Sequence, residues 1–472
     1  MSRDRILFVT AYIEDRLYDY VGQYSPDTRH RDAFPRDIAF GLRFIKQNIP
    51  SIEILEYPSP EEYREVLKQG WDVVGFSFYM NETDRVLRMI KWAREAGVQE
   101  IWGGNYGVVN KDIEELFDRR FVGYAEGQLQ NLLGLPQTEI IHPPLSMRVG
   151  WPTQGNRYLT SYRVGVLFTT RGCSFKCTFC QSPAFAPKPI AIPFENINRV
   201  LEFYKSEGID EVMVLDENFG NIPKQAEMVI QRMGELKLNW TPMTRGDLLT
   251  RNFDKWFTNG LAGALMGVES MNQEVLDEIR KKSSVETMTN LVSKMNKKNL
   301  LTIGFYIIGF EADTAESLRR DLKAVAELNL DITQVCILTP LPGTPLWDEI
   351  DTKYGIFEKD YEKYDAGHLV WNHPHLSPAE ACEIVEWSLD FLQSARTFFR
   401  RFAKWQLYRV EKYGRLMAPF LINRNFVRSN LDGLKQLDMR QPLVLFPNNR
   451  LGKGEPLYVP FPSGKSLKVI EA

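Results

Sequence analysis

The sequence predicts an α/β protein in three parts: an N-terminal open parallel, Rossmann-like sheet, then a partial (β/α)6 TIM-like barrel, then a mostly helical C-terminal region. Three observations carry this. Residues 1–145 alternate short apolar runs with helix-spaced ones. Residues 163–375 repeat the alternation with six strand candidates. Beyond 375 the pattern turns helical, aromatic and basic.

In the first part, MSRDRILFVT runs straight into a strand-like segment. IEILEY (52–57) and VVGFSF (73–78) are β-branched and aromatic runs, RVLRMIKWAREAG (85–97) has helical spacing and ends in glycine, and EIWGGN (100–105) ends on a glycine pair. FVGYAEG (121–127) reads as a last short strand. The order is βαβαβ, which places a ligand site at the carboxyl ends of the strands. Residues 146–162 are polar and turn-rich and read as a linker. The barrel strands are expected at 163–170, 211–216, 239–244, 263–269, 302–309 and 333–339, with helices such as 222–237 and 314–329 between them. Catalytic groups of such barrels sit at the carboxyl ends of the strands. The last part, 376–472, is expected as a helical cap followed by an irregular tail rich in Pro, Gly and Lys.

At 472 residues the chain is too long for one ordinary core. Its net charge of −3 gives no electrostatic footprint for nucleic acid. It has no apolar run long enough for a membrane span, and its first residues contain no secretory h-region, so the sequence predicts a cytoplasmic protein. Five cysteines are too few for a disulfide scaffold, and three of them fall within the eight residues 173–180.

Those three form RGCSFKCTFC: Cys173, Cys177 and Cys180. Three thiolates can take three irons of a cubane and leave the fourth open. Structural zinc is the other reading, but zinc wants a closed set of four ligands and no fourth Cys or His lies nearby. The motif directly follows the first barrel strand, and Gly172 suits a tight backbone approach to inorganic sulfide.

A C-x-x-x-C-x-x-C motif with an aromatic before its last Cys resembles the radical S-adenosylmethionine superfamily. The resemblance extends through LDENF (215–219), MTRGD (243–247), GVES and its following helix (267–284), GFYIIGFEADTAES (304–317) and ILTPLPGTPLW (337–347), in the right order. It implies an enzyme with a [4Fe–4S] cluster on the three cysteines. There S-adenosylmethionine is cleaved to a 5′-deoxyadenosyl radical, and an electron donor such as a flavodoxin or ferredoxin supplies the electron. It implies that Phe179 lies against adenine, unless it is barrel packing. Arg245 would pair the methionyl carboxylate, or else Asp216, Glu217 or Asp247. Glu217 and Asn218 would meet the methionyl amino group, and Glu269 and Ser270 the ribose. Gly304 and Gly309 suit adenine, or simply bulges. Asp216 reads equally as a structural carboxylate.

The first part is similar to the cobalamin-binding domain that precedes this barrel in one large branch of the superfamily. The resemblance rests on Ser77, Gly103, Gly104, Glu126 and Gly127, small or acidic residues at strand ends. The common D-x-H-x-x-G motif is absent, and His30 lacks its surroundings. Two readings therefore stand: cobalamin without a protein His ligand, or a domain that keeps the fold and binds no corrin.

Other features have plainer readings. His368, His373 and His375 read as loop caps before a helix that starts near Ser377-Pro378, with proton shuttling as the rival. Cys336 and Cys382 read as buried small hydrophobes. TFFRRFAKWQLYR (397–409) suits peripheral membrane contact or cover for a hydrophobic substrate, or it packs on the barrel. The leading function is radical modification of an unactivated carbon of a small molecule, most simply cobalamin-dependent C-methylation. The alternatives are ring formation, contraction or oxidation without methyl transfer, and a non-catalytic iron–sulfur module. The nucleoside-type motifs on the fourth and sixth strands argue against the last.

Overall fold

The computed structural model describes residues 5–13, 38–153, 157–392 and residues 403, 404 and 407. The N-terminal sheet is built from β1 (Ile6–Thr10), α1 (Phe40–Asn48), β2 (Glu53–Leu55), α2 (Pro60–Leu67), β3 (Val73–Ser77), α3 (Thr83–Glu95), β4 (Glu100–Gly104), β5 (Arg119–Phe121) and α4 (Glu126–Leu132). Its strands are parallel in the order β2-β1-β3-β4-β5. Helices cover both faces, so strands such as ILFVT are buried throughout and read as unbroken apolar runs. The start of α2 shows how local sequence sets an element: Pro60 fixes the first turn, and Ser59 and Glu62 form a capping box.

The expected strand at 121–127 is shorter and earlier. Pairing stops at Phe121, Gly123 takes φ +91°, and Glu126 already begins α4. Residues 146–162 are expected as a linker, but 146–153 and 157–162 belong instead to two paired strands. β6 (Leu145–Thr153) and β7 (Arg157–Leu167) pair antiparallel. The turn-rich composition hid two strands that satisfy each other's backbone groups.

β6 forms one edge of a seven-stranded sheet in the order β14-β13-β12-β11-β10-β7-β6. After β7 come β8 (Thr170–Arg171), α5 (Ser182–Phe185), β9 (Ile190–Ala191), α6 (Phe194–Ser206), β10 (Glu211–Val214), α7 (Pro223–Glu235), β11 (Asn239–Thr244) and α8 (Gly246–Thr258). Then follow β12 (Gly263–Glu269), α9 (Gln273–Glu278), α10 (Val285–Lys297), β13 (Leu301–Ile308), α11 (Ala315–Glu327), β14 (Ile332–Ile337), α12 (Pro345–Lys353) and α13 (Pro378–Leu392). Strands β7 and β10–β14 are parallel and make the six-stranded open barrel that the sequence predicts.

The barrel strands alternate in burial. On β13, Thr302, Gly304, Tyr306 and Ile308 are buried in the layer beneath the helices, whereas Ile303, Phe305 and Ile307 are half-buried on the other face. The pairing carries that second face across the sheet: Met213 beside Thr241, Gly267 beside Phe305 and Gln334, Ile307 beside Cys336. This inner face is mostly apolar. Gly304 belongs to the outer layer, where a Cβ would fall 2.5 Å from Leu330, so it does not face adenine.

The C-terminal part does not cap the mouth of the barrel within the described residues. α13 packs on α11 and β14, with Arg319 paired to Glu383 at 2.8 Å. Lys404 reaches Asp331 and Asn296 at the amino end of β14, away from the strand ends that carry the cysteine loop. Apart from residues 403, 404 and 407, the basic aromatic run and the tail lie outside the described residues, as does His30. No helix among the described residues is long and apolar enough to cross a membrane.

His142 joins the two sheets. It is fully buried, packs edge-on against Phe44 of α1 at 4.9 Å, and accepts from the Phe168 N–H through Nε2 at 2.9 Å. Its Nδ1–H donates to the Pro143 carbonyl, which fixes the neutral tautomer. Burial pushes its pKa down to about 3. The unfolded chain therefore binds a proton near pH 6.5 that the folded chain refuses until about pH 3, so stability falls as pH drops through that window. We expect the melting temperature to decline from pH 7.5 to pH 5. His142→Gln should start lower and show a visibly flatter decline; equal slopes would place the acid sensitivity elsewhere.

Candidate active site at the cysteine loop

Residues 172–189 leave the barrel between β8 and β9, which pair as a short antiparallel pin, Thr170 opposite Ala191. The base of the pin is clamped by Asp216. This fully buried carboxylate accepts from the Thr169 N–H at 2.5 Å and from the hydroxyls of Thr169 and Thr170 at 2.5 and 2.7 Å. Burial raises its pKa and the threonine hydrogen bonds oppose that. Asp216 is thus a structural clamp on the loop and does not pair with Arg245. Gly172 takes φ +86°, and a Cβ there would lie 2.5 Å from the Ala186 carbonyl. The close approach it permits is to the returning limb of its own loop, rather than to sulfide.

Cys173 is buried and donates its N–H to Ala186 at 3.0 Å; Cys177 and Cys180 are half-buried. Burial raises the Cys173 and Cys180 thiols, and the neighbouring cysteines raise both further, so the three sulfurs feel one another. Among the described residues no three His, Cys, Asp or Glu side chains form a ligand set for a single metal ion. A cubane cluster needs no such set, since each thiolate meets its own iron. The loop is also tied to its surroundings: Thr178 N–H donates to Ile279 at 3.2 Å, Leu346 N–H to Thr178 at 3.1 Å, and Gln181 to the Pro342 carbonyl at 3.0 Å.

Positive charge faces this loop. Arg245 follows β11 and caps α8, is 6% exposed, and sits 3.8 Å from Cys177 Sγ and 4.1 Å over the Phe175 ring. Its Nε donates to Asp247 at 2.9 Å and its Nη2 to the Lys281 carbonyl. Of the partners open to it in the sequence, Asp247 is the one it takes. Asn218, 2% exposed, accepts from the Arg245 backbone N–H at 3.1 Å, which fixes its amide orientation and leaves Nδ2 buried without a partner. An unpartnered donor there calls for an acceptor such as a carboxylate or hydroxyl, and suits an ammonium poorly. Glu217 has both oxygens engaged, by the Tyr124 hydroxyl and by the Gly172 N–H at 3.1 Å; burial raises its pKa against opposing backbone hydrogen bonds.

At the end of β12 a bulge between Gly267 and Glu269 puts Glu269 at φ +62°. Its carboxylate pairs with Lys281 at 2.6 Å, both side chains 8% exposed. Gly267 is required because a Cβ would collide with both charged ends. Ser270, buried, accepts from the Asn272 N–H at 3.0 Å. Gly309, at φ +87°, donates to Asp313, whose pKa burial raises to about 6; the space where its Cβ would go is open to 4.0 Å. Phe179 stays half-buried against the barrel core. Cys336 is on the inner face beside Gln334 at 3.7 Å, and burial pushes its thiol up to about 12. Cys382 packs on the barrel core. The histidines follow the plainer reading. His373 accepts two backbone N–H groups on Nδ1 and donates to the Phe310 carbonyl at 2.8 Å, and His368 pairs with Asp365 at 3.0 Å.

The loops at the carboxyl ends of the two sheets meet. Tyr106, after β4, packs on Phe185 at 4.5 Å and lies 3.3 Å from the Ser182 hydroxyl; Tyr361 donates to Asp112 at 2.8 Å. Of the N-terminal candidates, Ser77 is half-buried at the end of β3. Gly104 ends β4, is buried, and leaves room for a Cβ in ordinary contact with the Phe76 and Phe121 carbonyls at 3.8 and 3.9 Å. Gly103 points into its own core, where Val108 and Phe117 would meet a Cβ at 2.8 Å. Glu126 is spent on Arg171, 2.7 Å away, and the Gly127 carbonyl is bound by Gln137. Lys281, Arg171 and Tyr124 were not singled out from the sequence. Only Lys281 had a signal there, in the IRKKSS segment that follows GVES.

The position of Arg245 sets a prediction. Its removal strips a cation from beside the thiolates and leaves the half-buried Asp247 with only the exposed Arg251, 3.2 Å away. Arg245→Ala should therefore lose most of its iron on anaerobic reconstitution, and Arg245→Lys should keep an intermediate amount, since an ammonium cannot span three partners. Full iron content in Arg245→Ala would show that the contact with Cys177 carries no weight.

Residues 167–325 match the family described as the Radical SAM superfamily. An uncharacterized methyltransferase, PH0819, from Pyrococcus horikoshii is 27% identical over 47% of this chain and 49% of its own length. The bacteriochlorophyllide d C-12(1)-methyltransferase of Chlorobaculum tepidum is 23% identical over 66% of this chain and 73% of its own. The matched region thus spans about half of the first relative and about three quarters of the second. A radical S-adenosylmethionine methyltransferase, TsrM, from Kitasatospora setae has a similar fold: TM-score 0.59 at 15% identity, covering 92% of this chain and 96% of that one. It has also been solved with cobalamin and a [4Fe–4S] cluster bound. The cysteine loop at the carboxyl end of the open six-stranded barrel lies within the stretch that matches the Radical SAM superfamily.

Proposed function

We propose that this protein is a radical S-adenosylmethionine enzyme that methylates an unactivated carbon of a small molecule. The observation that carries the reading is the meeting of two sheets at their carboxyl ends, with the cysteine loop beside the contact. One sheet ends its central strands on the small residues Ser77 and Gly104, where a corrin would lie; the other carries the three thiols. When bound, the cluster supplies an electron to the sulfonium of S-adenosylmethionine, and a corrin supplies a methyl group.

Each residue then has work to do. Cys173, Cys177 and Cys180 hold the cluster. Arg245 balances its negative charge. The free amide of Asn218 takes the methionyl carboxylate, and Glu217 lies beside the amino group. Ser270 and the Glu269–Lys281 pair would border the ribose, and Gly309 and Phe179 the adenine. The inner face, with Met213, Met243, Phe305 and Ile307, excludes water and suits an apolar carbon skeleton. The Glu269 and Lys281 charges on that wall are matched to each other.

The test is anaerobic reconstitution with iron, sulfide and cobalamin, followed by product analysis with S-adenosylmethionine carrying a labelled methyl group. We expect about four irons per chain, formation of 5′-deoxyadenosine under reduction, and label on carbon. Cys173→Ala, Cys177→Ala and Cys180→Ala should each abolish the cluster. Cobalamin uptake without methyl transfer would favour ring chemistry, and no 5′-deoxyadenosine at all would sink the enzyme reading. Asn218→Asp keeps the acceptor for Arg245 and removes the unpartnered donor. It should retain cluster while binding S-adenosylmethionine about tenfold or more weakly, the loss expected for a charge-assisted hydrogen bond.

A further inference from the structure

The N-terminal domain touches both limbs of the cysteine loop through one side chain. Tyr124 lies in the short connection between β5 and α4. Its hydroxyl donates to one oxygen of Glu217, and the other oxygen of Glu217 accepts from the N–H of Gly172, the residue before Cys173. Its ring lies 4.4 Å from the guanidinium of Arg171, one residue earlier, and that guanidinium is paired with Glu126. The same ring packs on Phe185 at 5.8 Å, where the loop returns, and the next residue, Ala186, accepts from the Cys173 N–H. The connection is pressed hard against this limb: a Cβ on Gly123 would lie 3.2 Å from the Phe185 carbonyl. At its other end the connection leaves Phe121, the strand partner of Gly104.

We propose that Tyr124 is a positioning residue that couples occupancy of the N-terminal cleft beside Gly104 to binding of S-adenosylmethionine at the cysteine loop. A ligand on the strand ends presses on the residues that follow Phe121, and Tyr124 passes that displacement to Glu217 and to the backbone just ahead of Cys173. The coupling is reciprocal, because each ligand must change the affinity of the other by the same factor. The inference rests on the reading of the cleft as a corrin site.

The test measures S-adenosylmethionine affinity of the reconstituted, unreduced protein by equilibrium dialysis, with and without hydroxocobalamin, and then the reverse experiment. Wild type should show about fivefold or greater coupling in both directions, the lower end of common allosteric effects. Tyr124→Phe keeps the ring against Arg171 and Phe185 and removes only the hydroxyl. It should hold wild-type iron, bind both ligands, and show coupling within about twofold of none, on the same scale. Independent binding in wild type, or coupling that survives in Tyr124→Phe, overturns the inference and leaves the function standing. Loss of iron in Tyr124→Phe also overturns it, since the hydroxyl would then be part of the loop's framework. Wild type that binds S-adenosylmethionine but takes up no cobalamin removes the corrin from the function and overturns this inference with it.

Discussion

The buried pair between Arg171 and Glu126 is the contact on which the arrangement of the site depends. The side chains are 8% and 4% exposed and come from different domains. Neither charge tolerates burial alone, so the pair exists only when the two sheets meet in one register. Arg171 is further held between the rings of Phe44 and Tyr124, at 4.2 and 4.4 Å. A buried ion pair adds little net stability, but it excludes wrong dockings, because a displaced partner would leave an unpaired charge in an apolar place. Since Arg171 is also the last residue of the strand that launches the cysteine loop, the docking of the domains and the placement of the loop are one event.

The barrel adds a second constraint. Its strands bury one face under helices and keep the other half-open, which is unusual economy for a parallel sheet and is what makes room inside. The chemistry-bearing groups are then confined to the strand ends. There a left-handed Glu269, a buried Glu269–Lys281 pair and an Arg245 bound on three sides give up local freedom for fixed geometry. Backbone in that region is strained for any residue but glycine, and it persists because Lys281 and the small Gly267 hold it.

Several side chains with catalytic chemistry turn out to do structural work. Asp216 clamps the loop's base, His373 caps a turn, and His142 sits neutral where the two sheets join. In each case the group has every hydrogen-bonding site filled by backbone or by threonine hydroxyls, which leaves nothing for a ligand. Asn218 is the opposite case, a buried amide with one donor left over.

The sequence by itself determined the two α/β parts, the positions of the six barrel strands and the three thiols. Those signals are local: the period of apolar residues fixes strand or helix, and Cys173, Cys177 and Cys180 lie within one loop. Tertiary structure alone decided the partners. Gly103 and Gly104 are neighbours with the same composition signal, yet a Cβ would collide with side chains at the first and fit at the second, because alternate residues of a strand point to opposite sides. Glu126 found Arg171, Tyr124 found Glu217, and residues 146–153 and 157–162 became strands, each through a group far away in the chain or on the paired strand. Periodicity says which face a residue occupies. What stands opposite that face is set by how the two sheets dock, and no local pattern encodes it.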